Sequence, residues 1–458
     1  MDKFSDGSAG EVDWNELTAE LDGELALDAE SRAEVSRDAG RYRVQLPYAV
    51  LRPASVADIQ AVVRFCHRHG IPVAARGLAN TTDGQGLVGG VLIDMRSLDT
   101  IHEIGLDRAV ADAGADWLRL TNAAHAHHLT PPALTGFLGL SLGGTLSLGG
   151  IPPAIQSGGQ VDSVIELEVV TGTGELKRCS AEENGELFEA VLGGLGQFGI
   201  ITKATVALGA APARVRGHEL TYPDLSDFFE DFRTLLERAE ISELYGDWWR
   251  PGEHGEVQHL NAFTFHSEAE PPDDAHVLRG LTPREIEVSE AGFLPHVTRI
   301  DVAVDELNTV LDWGNLAKPW LTLWLPEATV EQYVTEVVRQ LTPKDVGDGG
   351  FVLLYAHRRS ELTRPSLRLP ADDGEWVYLF TLMTAGPPSA EFTDEMLARN
   401  RRLYDRARAL GGTRYPIESI AFTPDDWADH YGDRWPQLQA LKQKIDPGGI
   451  LTPGPNVF

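Results

Sequence analysis

Three glycine-rich stretches are the residues whose types and spacing could do chemistry. The first, residues 76–85, reads Arg-Gly-Leu-Ala-Asn-Thr-Thr-Asp-Gly-Gln; the others are residues 143–150 and 194–199. A backbone without bulky side chains can approach a flat or charged ligand closely, and the N–H groups of such a loop bind anions. The sequence therefore predicts a ligand site built largely from backbone.

The third stretch matches the G-x-G-x-x-G pattern of nicotinamide-dinucleotide sites. That fingerprint follows a strand and opens a helix. Residues 200–208 instead alternate apolar and polar side chains and are rich in β-branched residues, which is typical of a strand. We therefore expect no nicotinamide cofactor here.

The elements around the first two stretches are well signalled. Ser55 and Asp58 form a capping-box-like pair that predicts a helix from Ser55, and Gly70 should end it. Residues 71–75 and 91–95 are predicted strands on either side of the first stretch. The second stretch contains side chains too small for a packed helix, and a buried strand is predicted after it.

The character of the sequence changes after residue 212. An amphipathic helix with apolar residues at 225, 228, 229, 232, 235 and 236 opens a region that is rich in Trp and His. Strands are predicted around residues 320–324, 351–355 and 377–383, with a helix near 330–341. This mixture predicts a second domain with an antiparallel sheet that helices cover on one face.

Composition excludes several classes of protein. The 458 residues carry a formal net charge of -30, which disfavours partners such as nucleic acid or an anionic membrane. Two cysteines, Cys66 and Cys179, make no disulfide framework and no metal-ligand spacing. The first seven residues show no signal peptide and no apolar run approaches the ~18 residues of a membrane span, so we expect a soluble cytoplasmic protein.

Taken in order, residues 51–55, 73–85, 143–172, 194–202, 319–321 and 446–454 resemble the FAD-linked oxidases of the vanillyl-alcohol oxidase and p-cresol methylhydroxylase (PCMH) superfamily. Within it, the chain is similar to bacterial cytokinin dehydrogenase-like proteins. The resemblance implies an α+β fold with two domains: a flavin domain built from residues 1–212 and 412–458, and a central antiparallel-sheet cap domain, residues 213–411, that binds substrate.

The resemblance also implies which residues bind each ligand. The residues that correspond to contacts of FAD in the family are Ala75, Arg76, Gly77, Leu78, Ala79, Asn80, Thr81, Gln85, Ser141, Gly144, Ser147, Gly150, Ile151, Ile201 and Thr452. Trp320 and Thr322 match positions that face the substrate. Trp248 and Trp249, adjacent aromatic residues near the start of the cap, are further candidates for stacking on a planar substrate.

The chain departs from the family at two positions that matter for chemistry. Asn80 stands where the family has the His that is bonded covalently to the flavin, so we predict non-covalent FAD. Gly136 stands where cytokinin dehydrogenases have the Asp that accepts the proton of the substrate amine, and a glycine cannot accept a proton. Oxidation of cytokinin itself is therefore not expected.

The start of the cap is also rebuilt, with Tyr-Gly-Asp-Trp-Trp-Arg at residues 245–250 in place of Tyr-Asp-Tyr-Val-Glu-Gly. Weak candidates for a catalytic carboxylate are Glu418 and Asp247. No arrangement typical of a hydrolase is present.

Three functions remain open from the sequence. The first is oxidation of a small organic substrate, a specialised metabolite, by hydride transfer to FAD, with O2 or another electron acceptor reoxidising the flavin. The second is a flavoprotein whose FAD is structural and whose pocket catalyses a non-redox step such as a cyclisation. The third is a binding protein without turnover.

Overall fold

A computed structural model describes residues 13–249 and 257–458. Arg250, the last residue of the rebuilt cap segment, and the N-terminal residues examined for a signal peptide lie outside these ranges. Within them, no helix is long and apolar enough to cross a membrane. The same residues contain no group of three or more His, Cys, Asp or Glu side chains placed to hold a metal ion.

The first part of the chain forms a small sheet in the order β1-β2-β4-β3, in which β2, β4 and β3 are parallel and β1 is antiparallel to β2. Its elements are α1 (Trp14–Thr18), β1 (Glu24–Ala26), α2 (Ala29–Glu34), β2 (Ala49–Arg52), α3 (Val56–His69), β3 (Val73–Arg76) and β4 (Val91–Asp94). The first glycine-rich stretch therefore begins at the carboxyl end of β3.

The next part forms a five-stranded antiparallel sheet in the order β5-β6-β10-β8-β9. Its elements are β5 (Ile101–Ile104), β6 (Arg108–Asp112), α4 (Trp117–His125), β7 (Leu129–Thr130), α5 (Leu142–Leu146), β8 (Val164–Val170), β9 (Leu176–Ser180), α6 (Gly185–Val191), β10 (Ile200–Ala207) and β11 (Gly209–Ala210). The short strands β7 and β11 pair with each other.

The remaining chain forms an eight-stranded antiparallel sheet in the order β15-β12-β14-β13-β17-β18-β16-β19. Its strands are β12 (Arg214–Tyr222), β13 (Glu243–Trp248), β14 (Gln258–His266), β15 (Glu285–Gly292), β16 (Leu321–Pro326), β17 (Phe351–Arg358), β18 (Trp376–Met383) and β19 (Thr413–Arg414). The helices are α7 (Leu225–Leu236), α8 (Asp274–Val277), α9 (Phe293–Val297), α10 (Arg299–Leu311), α11 (Val330–Val338), α12 (Pro343–Val346), α13 (Ala390–Ala409), α14 (Pro424–Tyr431) and α15 (Trp435–Ile445).

The C-terminal segment returns to the first sheet. The Val73 N–H donates to the Ile450 carbonyl and the Thr452 N–H donates to the Val73 carbonyl, each at 2.8 Å, so the segment extends the sheet beside β3. Strand β19 lies just beyond the proposed domain boundary at residue 411, yet it pairs with β16 of the large sheet. The division into domains therefore stays a proposal.

Most of the predicted elements are present. Helix α3 begins after Ser55 with a capping box and ends at Gly70, whose φ of 62° lies in the left-handed region that glycine adopts readily. Residues 194–199 lead into β10 and not into a helix, which agrees with the exclusion of a nicotinamide site.

One expectation was wrong. The second glycine-rich stretch contains the five-residue helix α5, because Leu142 and Leu146 are buried. Gly143 lies so close to Ala113 that a Cβ on it would be 2.9 Å from the Ala113 Cβ. Small residues therefore allow this helix to pack closely; they do not prevent it.

Candidate functional site

A cavity of about 420 Å³ lies between the loops of the two N-terminal sheets and one face of the eight-stranded sheet. All fifteen residues that the resemblance assigns to FAD contacts line this cavity, as do Trp320 and Thr322. The cap side is formed by alternate residues of the central strands and by the first turn of α10. The glycine-rich loops therefore form one side of the cavity, and the eight-stranded sheet forms the other.

The loop after β3 offers a row of free donors to this cavity. The backbone N–H groups of residues 77–81 donate no hydrogen bond to any residue within 13–249 and 257–458. The Arg76 guanidinium donates to the carbonyls of Val35 and Arg37, while its buried Nε–H has no partner among the described residues. Successive unpaired N–H groups beside a cation form an anion-binding surface.

Neighbouring residues hold this loop in place. The Asp38 carboxylate accepts from the Gly84 N–H at 2.7 Å and from the Thr81 hydroxyl at 3.2 Å, and burial raises its pKa to about 6. The Gln85 amide group donates to the carbonyls of Pro416 and Glu418, each at 3.4 Å. The shape of the loop is therefore fixed by side chains that sequence inspection had not assigned this role.

Glycine is required where the loop meets α5. A Cβ on Gly77 would lie 1.9 Å from the Ser141 Oγ, so no larger residue fits without displacing α5. Gly144 has the opposite character: a Cβ there would meet only the Ser141 hydroxyl, at 2.8 Å, within 4 Å. Gly144 thus presents bare backbone to the cavity, which suits the face of a flat ring.

Asn80 does not point freely into the cavity. Its Nδ2 donates to the Gly139 carbonyl at 3.1 Å, and the Gly139 N–H donates to the Asp301 carboxylate at 2.8 Å. The described part of the cavity wall contains neither His nor Cys. Cys66 and Cys179 are buried elsewhere, and burial raises the pKa of each thiol to about 12.

The cap side is organised by strand register. Asp247, Leu353, Thr381 and Thr322 are successive cross-strand partners on β13, β17, β18 and β16. Because directly opposite residues of an antiparallel sheet share a face, these four side chains form one row on the cavity wall. A second row, displaced by two positions along the strands, consists of Tyr245, Tyr355 and Leu379.

Of the two candidate catalytic carboxylates, Asp247 is the one that lines the cavity. Its Oδ2 accepts from the Asn261 amide at 2.6 Å, while its buried Oδ1 has no partner among the described residues. Burial raises the pKa of Asp247 to about 6, despite the opposing effects of His259, of the Asn261 hydrogen bond and of the nearby Trp249 side chain. An unpaired carboxylate oxygen with this pKa is suited to accept a proton near neutral pH.

Of the two tryptophans predicted to stack on a substrate, Trp248 does not line the cavity. Neighbouring strand residues point to opposite faces, and Trp248 is fully buried on the helix side, where its ring lies 5.3 Å from that of Phe228. Its indole N–H donates to Gln258. Trp249 is instead on the cavity, 52% exposed, with its ring 4.5 Å from that of Phe351.

Glu418 also lies away from the cavity wall. It is fully buried and accepts from the Arg414 guanidinium at 2.7 Å. Arg414 in turn lies over the ring of Phe422, at 3.9 Å. Burial raises the pKa of Glu418 to about 7, but its ion pair sits in the core beneath the site.

Sequence reasoning missed a polar group at one end of the cavity. Arg299 and Tyr355 line it together with Tyr245. Arg299 is the first residue of α10, and Tyr355 lies in an unbroken apolar run of β17, so neither has a local pattern that marks it. Only the pairing of Tyr245 with Tyr355 across β13 and β17 reveals the group.

Comparison with known proteins identifies the family. Residues 47–180 match the model described as FAD binding domain, and residues 281–458 match that described as cytokinin dehydrogenase 1, FAD and cytokinin binding. The chain is 33% identical over 413 residues to an uncharacterized oxidoreductase, ORF5 in the fasciation locus, of Rhodococcoides fascians, covering 89% of this chain and 93% of that protein. It is 31% identical to cytokinin dehydrogenase 4 of Oryza sativa subsp. japonica, covering 96% and 90%.

Solved structures agree on the fold. A carbohydrate oxidase from Microdochium nivale superposes with a TM-score of 0.77 at 17% identity, covering 96% of this chain and 98% of that one. A chitooligosaccharide oxidase gives a TM-score of 0.75 with the same identity and coverage. The fold is thus that of the PCMH-type flavoprotein oxidases. The chain belongs to the cytokinin dehydrogenase-like family of FAD-dependent oxidoreductases.

The residues present fit FAD. The unpaired N–H groups of residues 77–81 and the Arg76 guanidinium suit a pyrophosphate. The bare backbone at Gly144 suits the flat flavin ring, and the Asp247 row of the cap faces the same cavity. The donor set therefore matches an elongated ligand with an anionic middle and a planar end.

Proposed function

We propose that the protein oxidises a small organic molecule in the space between the flavin ring and the eight-stranded sheet, with FAD held non-covalently. The observation that carries this proposal is the unpaired Asp247 Oδ1 on the wall of the cavity that also contains the free N–H groups of residues 77–81. One cavity thus offers both a cofactor surface and a proton acceptor.

The residues of the chain have separate roles in this proposal. Residues 77–81 bind the pyrophosphate, and Gly144 with Ser141 leaves room for the ring. When bound, FAD supplies the acceptor for a hydride that leaves a carbon of the substrate. Asp247 takes the proton from the adjacent N–H or O–H group of the substrate through its free Oδ1. The paired oxygen, Oδ2, is fixed by Asn261, which orients the carboxylate.

The rest of the wall binds and orients the substrate. Phe351, Leu353, Leu379 and Met383 supply an apolar surface, and the Thr322 and Thr381 hydroxyls lie beside Asp247 on the same row. The buried Trp320 Nε1–H has no partner among the described residues and is free to donate to a ligand. This composition suits a mainly apolar molecule with a few polar atoms, in line with a specialised metabolite.

The contacts of Asn80 support the proposal of non-covalent binding. Its amide nitrogen is used in the hydrogen bond to Gly139, and an amide lacks the nucleophilic nitrogen of the family's histidine. Acid precipitation of the purified protein tests this directly. We expect the yellow colour to stay in the supernatant, and a yellow pellet would refute the assignment.

The redox proposal is tested by mixing the protein anaerobically with a panel of amines, alcohols and hydroxy acids. Loss of the oxidised flavin absorption band with any of them supports oxidation, and readmitted O2 or another acceptor should restore it. Cytokinins are not expected to cause bleaching, because Gly136 leaves no carboxylate at the position from which cytokinin dehydrogenases deprotonate them, and Asp247 lies at a different place on the cavity wall. Turnover that persists with an inert flavin analogue would instead identify a non-redox reaction and refute the proposal.

A further inference from the structure

Gly136 is not required by the fold. Its φ lies outside the left-handed region, so other residues can adopt its conformation. A Cβ on it would meet nothing closer than the Ile300 Cγ1 and the Tyr355 hydroxyl, each at 3.9 Å. Neither backbone strain nor close packing therefore explains the glycine, and the cavity wall has open space at this position.

Three polar side chains of the cap face this space. The Tyr355 hydroxyl is the nearest, and Tyr245 is its direct cross-strand partner, with ring centroids 6.1 Å apart. The Arg299 guanidinium lies near Tyr245, and its positive charge partly offsets the rise that burial causes in the pKa of the tyrosine. Arg299 keeps 29% of its side chain exposed, and because it lines the cavity, that exposed part is available to a ligand.

The charge of Arg299 is only partly balanced by protein. One N–H donates to the His296 carbonyl at 2.7 Å, and the nearest carboxylate oxygen, Oε2 of Glu243, is 3.7 Å away. That same oxygen lies 2.9 Å from the His296 Nε2, so it is shared. A guanidinium has five N–H donors in a planar fork. Donors therefore remain for a further anionic oxygen.

We propose that Arg299, Tyr245 and Tyr355 form a carboxylate-binding subsite in the space at Gly136, so that the substrate is an organic acid. This inference rests on the proposed function, because it assigns one end of the same substrate cavity. Arginine binds carboxylates in a two-pronged geometry, and tyrosine hydroxyls donate to the same oxygens.

Asp247 restricts the substrate further. It lies two residues from Tyr245 on β13, about 7 Å along the strand. A carboxylate close to Asp247 would be repelled, so the substrate presents its N–H or O–H group to Asp247 and its carboxylate to Arg299. The subsite thus selects amino acids or hydroxy acids with an apolar body.

Calorimetric titration of the FAD-loaded protein with phenylacetate and with its neutral isostere phenylacetamide tests the subsite. Phenylacetate should bind more tightly than phenylacetamide. Arg299→Met should weaken phenylacetate about 10- to 100-fold and leave phenylacetamide unchanged, and Arg299→Lys should restore part of the loss. Arg284→Met removes an exposed arginine just before β15 and should change neither affinity.

A second pair of variants avoids Arg299, whose removal also disturbs Glu243 and His296. Gly136→Asp and Gly136→Asn place side chains of equal size in the open space and differ in charge. We expect Gly136→Asp to bind phenylacetate at least about 10-fold more weakly than Gly136→Asn. Flavin content and thermal unfolding confirm that each variant is folded.

The outcomes separate this inference from the proposed function, since binding is measured without turnover. Equal affinity of the wild-type protein for the two probes overturns the subsite, as does no detectable binding of either at their solubility limits. Equal weakening of both probes by Arg299→Met, or no difference between the Gly136 variants, overturns it as well. Selective binding of phenylacetate without flavin bleaching by any acid supports the subsite and counts against the oxidase.

Discussion

The two walls of the cavity are built in different ways. The N-terminal wall presents backbone: free N–H groups at residues 77–81 and bare glycine at Gly144. The cap wall presents side chains, such as Asp247 and Arg299, in rows set by strand register. A wall of backbone can bind the same cofactor while its other residues vary, whereas each side chain of the cap can be exchanged separately. The contrast means that substitutions on the cap wall can alter substrate contacts without altering the backbone that faces the cofactor.

The largest expected effect concerns the cap wall. Asp247→Asn keeps the shape of the side chain and removes the proton acceptor, so substrate-driven flavin reduction should slow by ~10²- to 10⁴-fold with flavin content unchanged. In the wild-type protein kcat/KM should fall as the pH drops through about 6, because a base acts only when it is deprotonated. Stopped-flow absorbance measures both.

Asp305→Asn, which removes an exposed carboxylate on α10, is the control and should leave the rate unchanged. If Asp247→Asn reduces its flavin at the wild-type rate, Asp247 is not the base and the cap wall loses its chemical role.

The next effect concerns the backbone wall. Gly77→Ala places a Cβ where the Ser141 Oγ lies, so the loop or α5 must move and the N–H groups lose their alignment. We expect FAD affinity to fall by about 100-fold, which corresponds to the loss of roughly two hydrogen bonds to a charged group. Titration of the apoprotein with FAD measures this affinity. Gly209→Ala, at a glycine with no atom within 4 Å of the added Cβ, should bind FAD normally. Normal affinity in Gly77→Ala would show that backbone geometry does not set the cofactor site.

Two neighbouring tryptophans test the alternation of the cap strand. Trp248→Ala leaves a cavity in the core and should lower the free energy of unfolding by about 3–5 kcal/mol. Trp249→Ala removes a half-exposed ring, so it should change stability by less than about 1 kcal/mol and raise KM. Chemical denaturation and steady-state kinetics measure the two effects. The reverse pattern would contradict the register of β13.

Stability should respond to pH through Asp247. Its folded-state pKa is raised from 3.8 to about 6, so the stabilisation associated with the protonated carboxyl is present below pH 4 and is lost as the pH rises through 6. At pH 8, Asp247→Asn should therefore be more stable than the wild-type protein, by up to about 3 kcal/mol. The difference should shrink towards pH 4. Equal stability of the two proteins at both pH values would show that Asp247 is not strained by burial.

The smallest effect is expected at Ala79. Its φ of 56° is in the left-handed region, which a residue with a Cβ adopts at a disadvantage of roughly 1–2 kcal/mol. Ala79→Gly should relieve part of this strain and stabilise the protein by about 0.5–1 kcal/mol, measured as a small rise in Tm. A lower Tm would mean that the side chain of Ala79 contributes contacts that outweigh the strain.

The same contrast decides what the sequence could predict. Helix α3 and the loop after β3 were predictable because Ser55, Asp58 and Gly70 are local signals, and the loop carries a motif with fixed spacing. Cross-strand pairs have no such signal: Tyr245 and Tyr355 are 110 residues apart in the chain and meet only through the pairing of β13 with β17. The residues that line the glycine-rich wall were therefore largely predictable from local motifs, and most of those that line the opposite wall were not.

The choice between Trp248 and Trp249 shows the physical reason. Strand β13 alternates, with Glu243, Tyr245 and Asp247 on one face and Leu244, Gly246 and Trp248 on the other, but neither face is exposed to solvent. The alternation therefore does not reveal which face meets the core and which meets the cavity, and Asp247 was only a weak candidate for this reason. Its unpaired oxygen and its row of partners became visible only with the register.

The open space at Gly136 has an evolutionary consequence. Because neither the backbone nor the packing demands glycine there, a single substitution can add an acid, an amide or an apolar group to the cavity without an intermediate that fails to fold. Such a substitution would change the chemistry of the cavity wall and leave the glycine-rich loop at residues 76–85 untouched.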